Sequence, residues 1–276
     1  MNRAVAKSFR VGGVPEHFNL PWHLIREEQG PVEPGLAYEW RDYSSGTGAM
    51  IADLADKKLD IAVLLTEGVA LGLARGLPIE AVSLYTTSSL IWGIHVPPGS
   101  SFESPGGLAQ ARFAISRYGS GSHLMSLALA IEQGWTAEGR DFVIVDNLPG
   151  AIAAFAGGQA DVFLWEHFTT APEVEGGRLR RIGDFVSPWP AWVVCASRDV
   201  WQTDADAVRR LVGSVLQRAQ QLALDSASAE LIAGRYGLRS SAVRDWLGRT
   251  AWTAAIESPD AALAAASKML ETAGAI

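Results

Sequence analysis

Hydrophobic and polar positions along the chain switch repeatedly between two periods. Residues 6–14 ("AKSFRVGGV"), 36–44 ("LAYEWRDYS") and 79–87 ("IEAVSLYTT") read as strands, and 60–65 ("DIAVLL") is an apolar run of buried-strand length. Helical patterning fills the intervals: 18–30 ("FNLPWHLIREEQG", closed by Gly30), 46–59 ("GTGAMIADLADKKL", with Ile51, Leu54 and Ala55 on one face) and 67–76 ("EGVALGLARG"). A second set begins near residue 107, with strands at "ARFAIS", "DFVIVD" and "DVFLW" and helices at "SHLMSLALAIEQG" and "GAIAAFAGG". From about residue 203 the pattern turns helical. Thr203, followed by Asp204 and Asp206, is a start signal for "DADAVRRLVGSVLQRAQQLALD", and "AVRDWLGRTAW" and "DAALAAASKMLETAG" follow. Alternating strands and helices predict an α/β fold with mainly parallel sheets flanked by helices.

The two sets repeat each other. Residues 51–68 ("IADLADKKLDIAVLLTEG") align with 152–169 ("IAAFAGGQADVFLWEHFT") at a constant offset of 101, which places Asp60 on Asp161 and Ile61 on Val162. Each copy reads as a helix, a turn ending in Asp and a buried strand. Two similar α/β lobes are therefore expected.

Composition narrows the classes. The chain has 276 residues, 48% hydrophobic, with a formal charge of −7, which leaves no basic footprint for nucleic acid or anionic lipid. One cysteine, Cys195, excludes an internal disulfide and reads as a buried small hydrophobe. No apolar run is long enough to span a membrane. The opening "MNRAVAKSFRVGG" lacks the apolar core of a signal peptide. Two locations stay open: outside the cytoplasm if a signal has been trimmed, and cytoplasmic if the chain is full length.

In open parallel sheets, ligands bind beyond the carboxyl ends of the strands, where helices start. The loops at those ends supply His17 and Phe18; Ser45, Gly46 and Thr47; Thr66 and Glu67; Ser120, Gly121, Ser122 and His123; and Trp165 and Glu166. The Ser/Gly loops suit an oxygen-rich group at a helix N-terminus, where the first N–H groups lack intrahelical partners. The same residues are also ordinary N-caps. Trp165 beside Glu166 suits a flat ligand or one with amino donors. Trp189, in "SPWPAW", either closes a cleft or braces a crossover. Catalytic templates fail: "GSGSH" lacks the P-loop lysine, no G-x-S-x-G occurs, and the five histidines show no zinc spacing. No catalytic residue, metal or cofactor is assigned.

The order "SSGTGAMIADLADKKLDIAVLLTEG", "IWGIHVPPGSSFESPGGLAQARFAISRYGSGSHLMSLALAIEQGW" and "AIAAFAGGQADVFLWEHF" resembles the type II periplasmic solute-binding proteins. The closest branch takes aliphatic sulfonates, nitrate, taurine or thiamine-pyrimidine precursors and includes the thiamine-pyrimidine synthases. The resemblance implies two lobes, 1–96 with 192–276 and 97–191, joined by crossover hinge strands at "LIWGIHVPPGS" and "PWPAWVVCAS". It implies ligand contacts on the same strand-end loops, closure about the hinge, and delivery of a small solute to an ABC transporter permease. The synthase branch needs a Cys-rich iron motif and a cleft lysine, and one cysteine with no lysine near these loops disfavours that activity. The rival readings are a cytoplasmic enzyme, with His17, His123, Glu67 and Glu166 as acid–base groups, and a ligand sensor.

Overall fold

A computed structural model describes residues 7–28, 35–136 and 141–276; Gly30, expected to close the first helix, lies outside them. Along the chain run β1 (Lys7–Gly13), α1 (Leu20–Glu27), β2 (Leu36–Asp42), α2 (Thr47–Ala55), β3 (Ile61–Leu65), α3 (Thr66–Ala74), β4 (Ile79–Leu84) and β5 (Ser89–Val96). Then come β6 (Phe113–Ile115), α4 (Gly121–Glu132), β7 (Phe142–Ile144), α5 (Leu148–Ala156), β8 (Val162–Glu166), α6 (Ala171–Glu175), β9 (Arg180–Pro190) and β10 (Trp192–Ser197). The remainder is helical: α7 (Arg198–Leu224), α8 (Ser228–Tyr236), α9 (Ser240–Arg249) and α10 (Asp260–Thr272). The chain divides into two compact units, Met1–Ser88 with Pro190–Leu263, and Ser89–Trp189 with Ala264–Ile276. The sequence reading drew its lines at 96/97 and 191/192 and kept the C-terminal helices whole.

The first unit holds a five-stranded sheet in the order β2-β1-β3-β10-β4. Strand β1 runs parallel to β2 and β3, whereas β10 is antiparallel to both β3 and β4. The sheet is thus mixed, with four strands running one way and β10 against them. The reversed strand is β10: its segment, expected as a crossover hinge strand, inserts in full against the direction of its neighbours, a pairing that needs no helical connection. All its residues are buried, Cys195 among them, and burial pushes that thiol well above its ordinary pKa.

The second unit repeats the plan. Its sheet has the order β7-β6-β8-β5-β9, with β6 parallel to β7 and β8, and β5 antiparallel to β8. The offset of 101 carries α2 onto α5 and β3 onto β8 end for end.

The repeat extends to single atoms. Arg10 donates its backbone N–H to Asp60 Oδ2 at 2.7 Å and its Nε to the same oxygen at 3.0 Å, while Nη2 reaches Oδ1 at 2.5 Å. Arg112 does the same to Asp161, at 2.8, 3.0 and 2.8 Å. In return the Asp60 and Asp161 amides donate to the Arg10 and Arg112 carbonyls, both at 2.9 Å. Each clamp is a bidentate, charge-assisted pair that fixes the start of the second central strand against the first.

Helix α7 begins five residues before the expected start. Asp204 departs from helical geometry (φ −135°, ψ 22°), and its carboxylate accepts from Lys7 Nζ and Thr203 Oγ1, both at 2.7 Å. The Thr-Asp signal therefore marks a kink, where a capping-type side chain interrupts the helix without ending it.

Replacing Asp161 by Ala removes one whole clamp. We expect a loss of about 2 kcal/mol at pH 7, less than a fully buried pair would give because the Arg112 guanidinium is partly solvated. Arg112 holds the Asp161 carboxyl below its ordinary pKa. Its stabilisation is therefore complete above about pH 5 and fades as pH falls through the lowered folded-state value. Urea unfolding at pH 7 and pH 3 checks this: the gap between variant and parent must shrink at the lower pH.

Candidate functional site

In the first unit the strand ends converge on an aromatic cluster. After β1 the chain makes a single 3-10 turn, His17–Asn19, and all three residues are buried. His17 stacks on Phe18, with ring centroids 5.1 Å apart, and meets Trp246 of α9 edge-on at 4.2 Å and Tyr236 of α8 at 5.9 Å. Phe18 in turn touches Trp192, the first residue of β10, at 5.6 Å and Trp246 at 5.1 Å. The Phe18 carbonyl accepts from Tyr85 Oη at 2.9 Å and from Trp252 Nε1 at 3.3 Å, which pins the turn in place. Burial alone pushes the His17 pKa down to about 3, so its imidazole is neutral at ordinary pH.

Several buried nitrogens in this cluster make no hydrogen bond: His17 Nε2, Trp192 Nε1 and Trp246 Nε1. A buried donor or acceptor without a partner costs about 1–3 kcal/mol. Natural cores contain few such atoms, and each asks for an explanation. The sequence reading named His17 and Phe18 but missed Trp192 and Trp246. Trp192 sat inside the segment treated as a crossover, and Trp246 inside a helical run. Trp192 opens a strand, but an indole in a crossover segment or in mid-helix, as Trp246 is, reads from sequence as core.

The other first-unit candidates lie at the starts of α2 and α3. Thr47 Oγ1 accepts from the Leu65 N–H at 3.1 Å, joining the start of α2 to the end of β3. A Cβ on Gly68 would lie 2.4 Å from Thr47 Cγ2, so this approach needs glycine there. Gly46 has φ of 73°, the left-handed region that favours glycine, and Ser45 beside it is exposed. Thr66 donates to the Pro190 carbonyl at 2.5 Å, and its N–H donates to Ala191, tying β3 to the chain entering β10. Glu67 is buried in the first turn of α3, where the helix dipole favours a carboxylate.

In the second unit the "GSGSH" loop spends its hydroxyls on itself. Ser120 is the N-cap of α4 and accepts from the His123 N–H at 3.4 Å. Ser122 Oγ lies 3.0 Å from Ser120 Oγ and accepts from the Ser116 N–H at 2.9 Å, joining the helix to the end of β6. Gly121 opens α4 between these two serines. His123 Nδ1 accepts from the Gly119 N–H at 3.2 Å, and its ring meets Tyr118 and Phe142 at 5.2 and 4.8 Å. Burial lowers the His123 pKa to about 4.

Trp165 stacks on Phe163 at 5.1 Å and packs on the apolar cluster of Ala151, Ala154 and Phe155. Glu166 is buried, and its Oε2 accepts from the Thr169 N–H at 2.5 Å; burial raises its pKa. The turn it caps is held a second time. His95 donates from Nδ1 to the Phe163 carbonyl at 3.2 Å and accepts at Nε2 from the Thr170 hydroxyl at 2.9 Å. Trp189 is buried, and its carbonyl accepts from Ser187 Oγ at 3.0 Å. Trp92 lies opposite Glu166 in the β5–β8 register, and its buried indole N–H also makes no hydrogen bond. Trp192 lies opposite Leu65 in the β10–β3 register, so the two indoles hold equivalent places in the repeat.

Comparison with solved structures places this geometry. The Candida albicans CA3427 gene product, described as exhibiting the generic periplasmic binding protein fold, superposes with a TM-score of 0.90 at 23% identity, covering 98% of this chain and 91% of that one. The fold is that of the periplasmic binding proteins. Another such fold, the alkanesulfonate-binding protein SsuA of Xanthomonas axonopodis pv. citri bound to MOPS, gives 0.80 at 18% identity, with 98% and 94% covered. PhnD1 of Prochlorococcus marinus, in complex with methylphosphonate, gives 0.65 at 14%, with 98% and 99% covered. The family described as Ca3427-like PBP matches residues 100–185. No curated sequence matches the chain significantly. Among the described residues, no helix is long and apolar enough to cross a membrane.

Ser120→Ala tests the division between scaffold and site. Loss of the N-cap bond and of the serine pair is expected to cost about 1 kcal/mol of stability. Thermal unfolding monitored by circular dichroism should show a fall of a few degrees.

Proposed function

We propose that the chain is a non-catalytic binding protein that holds a small polar or aromatic solute between two lobes and closes on it about hinge strands β5 and β10. In this reading it delivers the solute to an ABC-type uptake system. The observation that carries the proposal is the set of buried, unbonded nitrogens at the strand ends of a fold shared with solute-binding proteins. A ligand that both lobes touch favours the closed state, because only that state makes both sets of contacts.

The chemistry of the same residues argues against turnover. General acid–base catalysis works best with a pKa near the operating pH. His17 and His123 are displaced to about 3 and about 4, and Glu166 is engaged by the backbone of its own turn. Trp165 supplies an aromatic face to the body of the solute, and the starts of α2 and α4 supply N–H groups to its polar end.

The test is a panel of alkanesulfonates, carboxylates and pyrimidines offered to the purified full-length chain. A ligand at a hundred times its Kd adds about 2.7 kcal/mol of stability. For a protein of this size that is a rise in melting temperature of about 5–10 °C. Small-angle scattering should show a smaller radius of gyration with the same ligand. No change in either quantity across the panel overturns the reading.

A further inference from the structure

We propose that His17, Trp192 and Trp246 are ligand-contacting residues and that the group they take is an uncharged, planar hydrogen-bond acceptor, such as a heteroaromatic ring or a conjugated amide. The inference rests on the binding reading above and names the chemistry of the site's first-unit half.

Three observations meet here. All three side chains are at least 98% buried by exposed area, yet Trp192 Nε1, Trp246 Nε1 and His17 Nε2 have no partner. An indole nitrogen only donates, so two of these atoms demand an acceptor. The three come from separate parts of the chain, the turn after β1, the first residue of β10 and the middle of α9, and Phe18 touches all of them. Aromatic faces meeting edge-on and tilted around one ring set flat-sided limits on what fits beside them.

The charge of the group follows from what surrounds it. Among the described residues, no Arg or Lys is buried. His17 stays neutral. An anionic group placed here would find no buried countercharge, a costly burial. Neutral acceptors carry no such penalty. This separates the chain from the proteins whose structures hold MOPS and methylphosphonate, both of which bear acidic groups.

The experiment titrates the full chain with cytosine and nicotinamide as uncharged rings, and with ethanesulfonate and methylphosphonate as anions, by calorimetry at pH 5 and pH 8. Trp192→Phe and Trp246→Phe keep an aromatic ring and remove the N–H. The expected result is binding of an uncharged ring with equal affinity at both pH values, weakened about three- to tenfold in each variant. In the parent chain labelled with indole nitrogen-15, the Trp192 and Trp246 N–H resonances should move downfield on addition of that ring; a purely structural tryptophan would not move. This second readout stands if either variant fails to fold. Binding of the anions alone, or ring binding with both resonances unmoved, overturns this inference and leaves the binding reading intact. Binding of nothing from either class, here or in the wider panel, overturns both.

Discussion

Each half of this protein depends on one carboxylate. Asp60 and Asp161 immediately precede the second central strand of their sheets, and each takes the backbone and side chain of an arginine, Arg10 on β1 and Arg112 just before β6. A parallel pair has no hairpin to set its register, so something else must. Here the register is fixed at the strand starts by a bidentate ion pair plus a reciprocal amide bond. Once it is set, the opposite ends of the strands fall at defined places, and those ends carry the candidate residues.

At the strand ends, polar side chains divide into two groups. Thr47, Thr66, Ser120, Ser122, Glu166 and His95 have partners within their own unit, and they hold helix starts and turns against the sheet. His17, Trp92, Trp192 and Trp246 are buried with a nitrogen unbonded. The first group ties the loops to the sheet; the second holds hydrogen-bonding capacity not spent within the chain. The hydroxyls of the serine- and glycine-rich loop are spent within the loop and on the end of β6, whereas the aromatic cluster keeps nitrogens unbonded.

Much of the fold was legible because its period is local. The alternation of strands and helices and the offset of 101 both lie in the order of the residues, and Asp60 aligned with Asp161 before any geometry was known. The mixed character of the sheets was not legible. Strand direction within a sheet depends on where the chain re-enters, and β10 looks the same from the sequence whether it crosses between units or joins one. Trp192 and Trp246 were hidden for a similar reason. An indole in a crossover or a helix reads as core until its nitrogen is found without a partner, and partners are a property of the folded chain. The Asp204 kink shows the converse limit: a sound local signal was present, but the helix runs on to either side of it, and Asp204 pairs with Lys7, almost two hundred residues away.

The equal length of residues 47–65 and 148–166 has a consequence beyond symmetry. The two stretches are interchangeable cassettes in outline, each a helix, a five-residue turn ending at the clamping Asp, and a five-residue strand, mounted on the same kind of arginine. Their strand tips differ: one ends in leucine and leads into Thr66 and Glu67, the other ends in Trp165 and Glu166. A lineage carrying two such cassettes can redraw one tip while the clamp and strand of the other stay as they are, so sequence change in one half need not disturb the other.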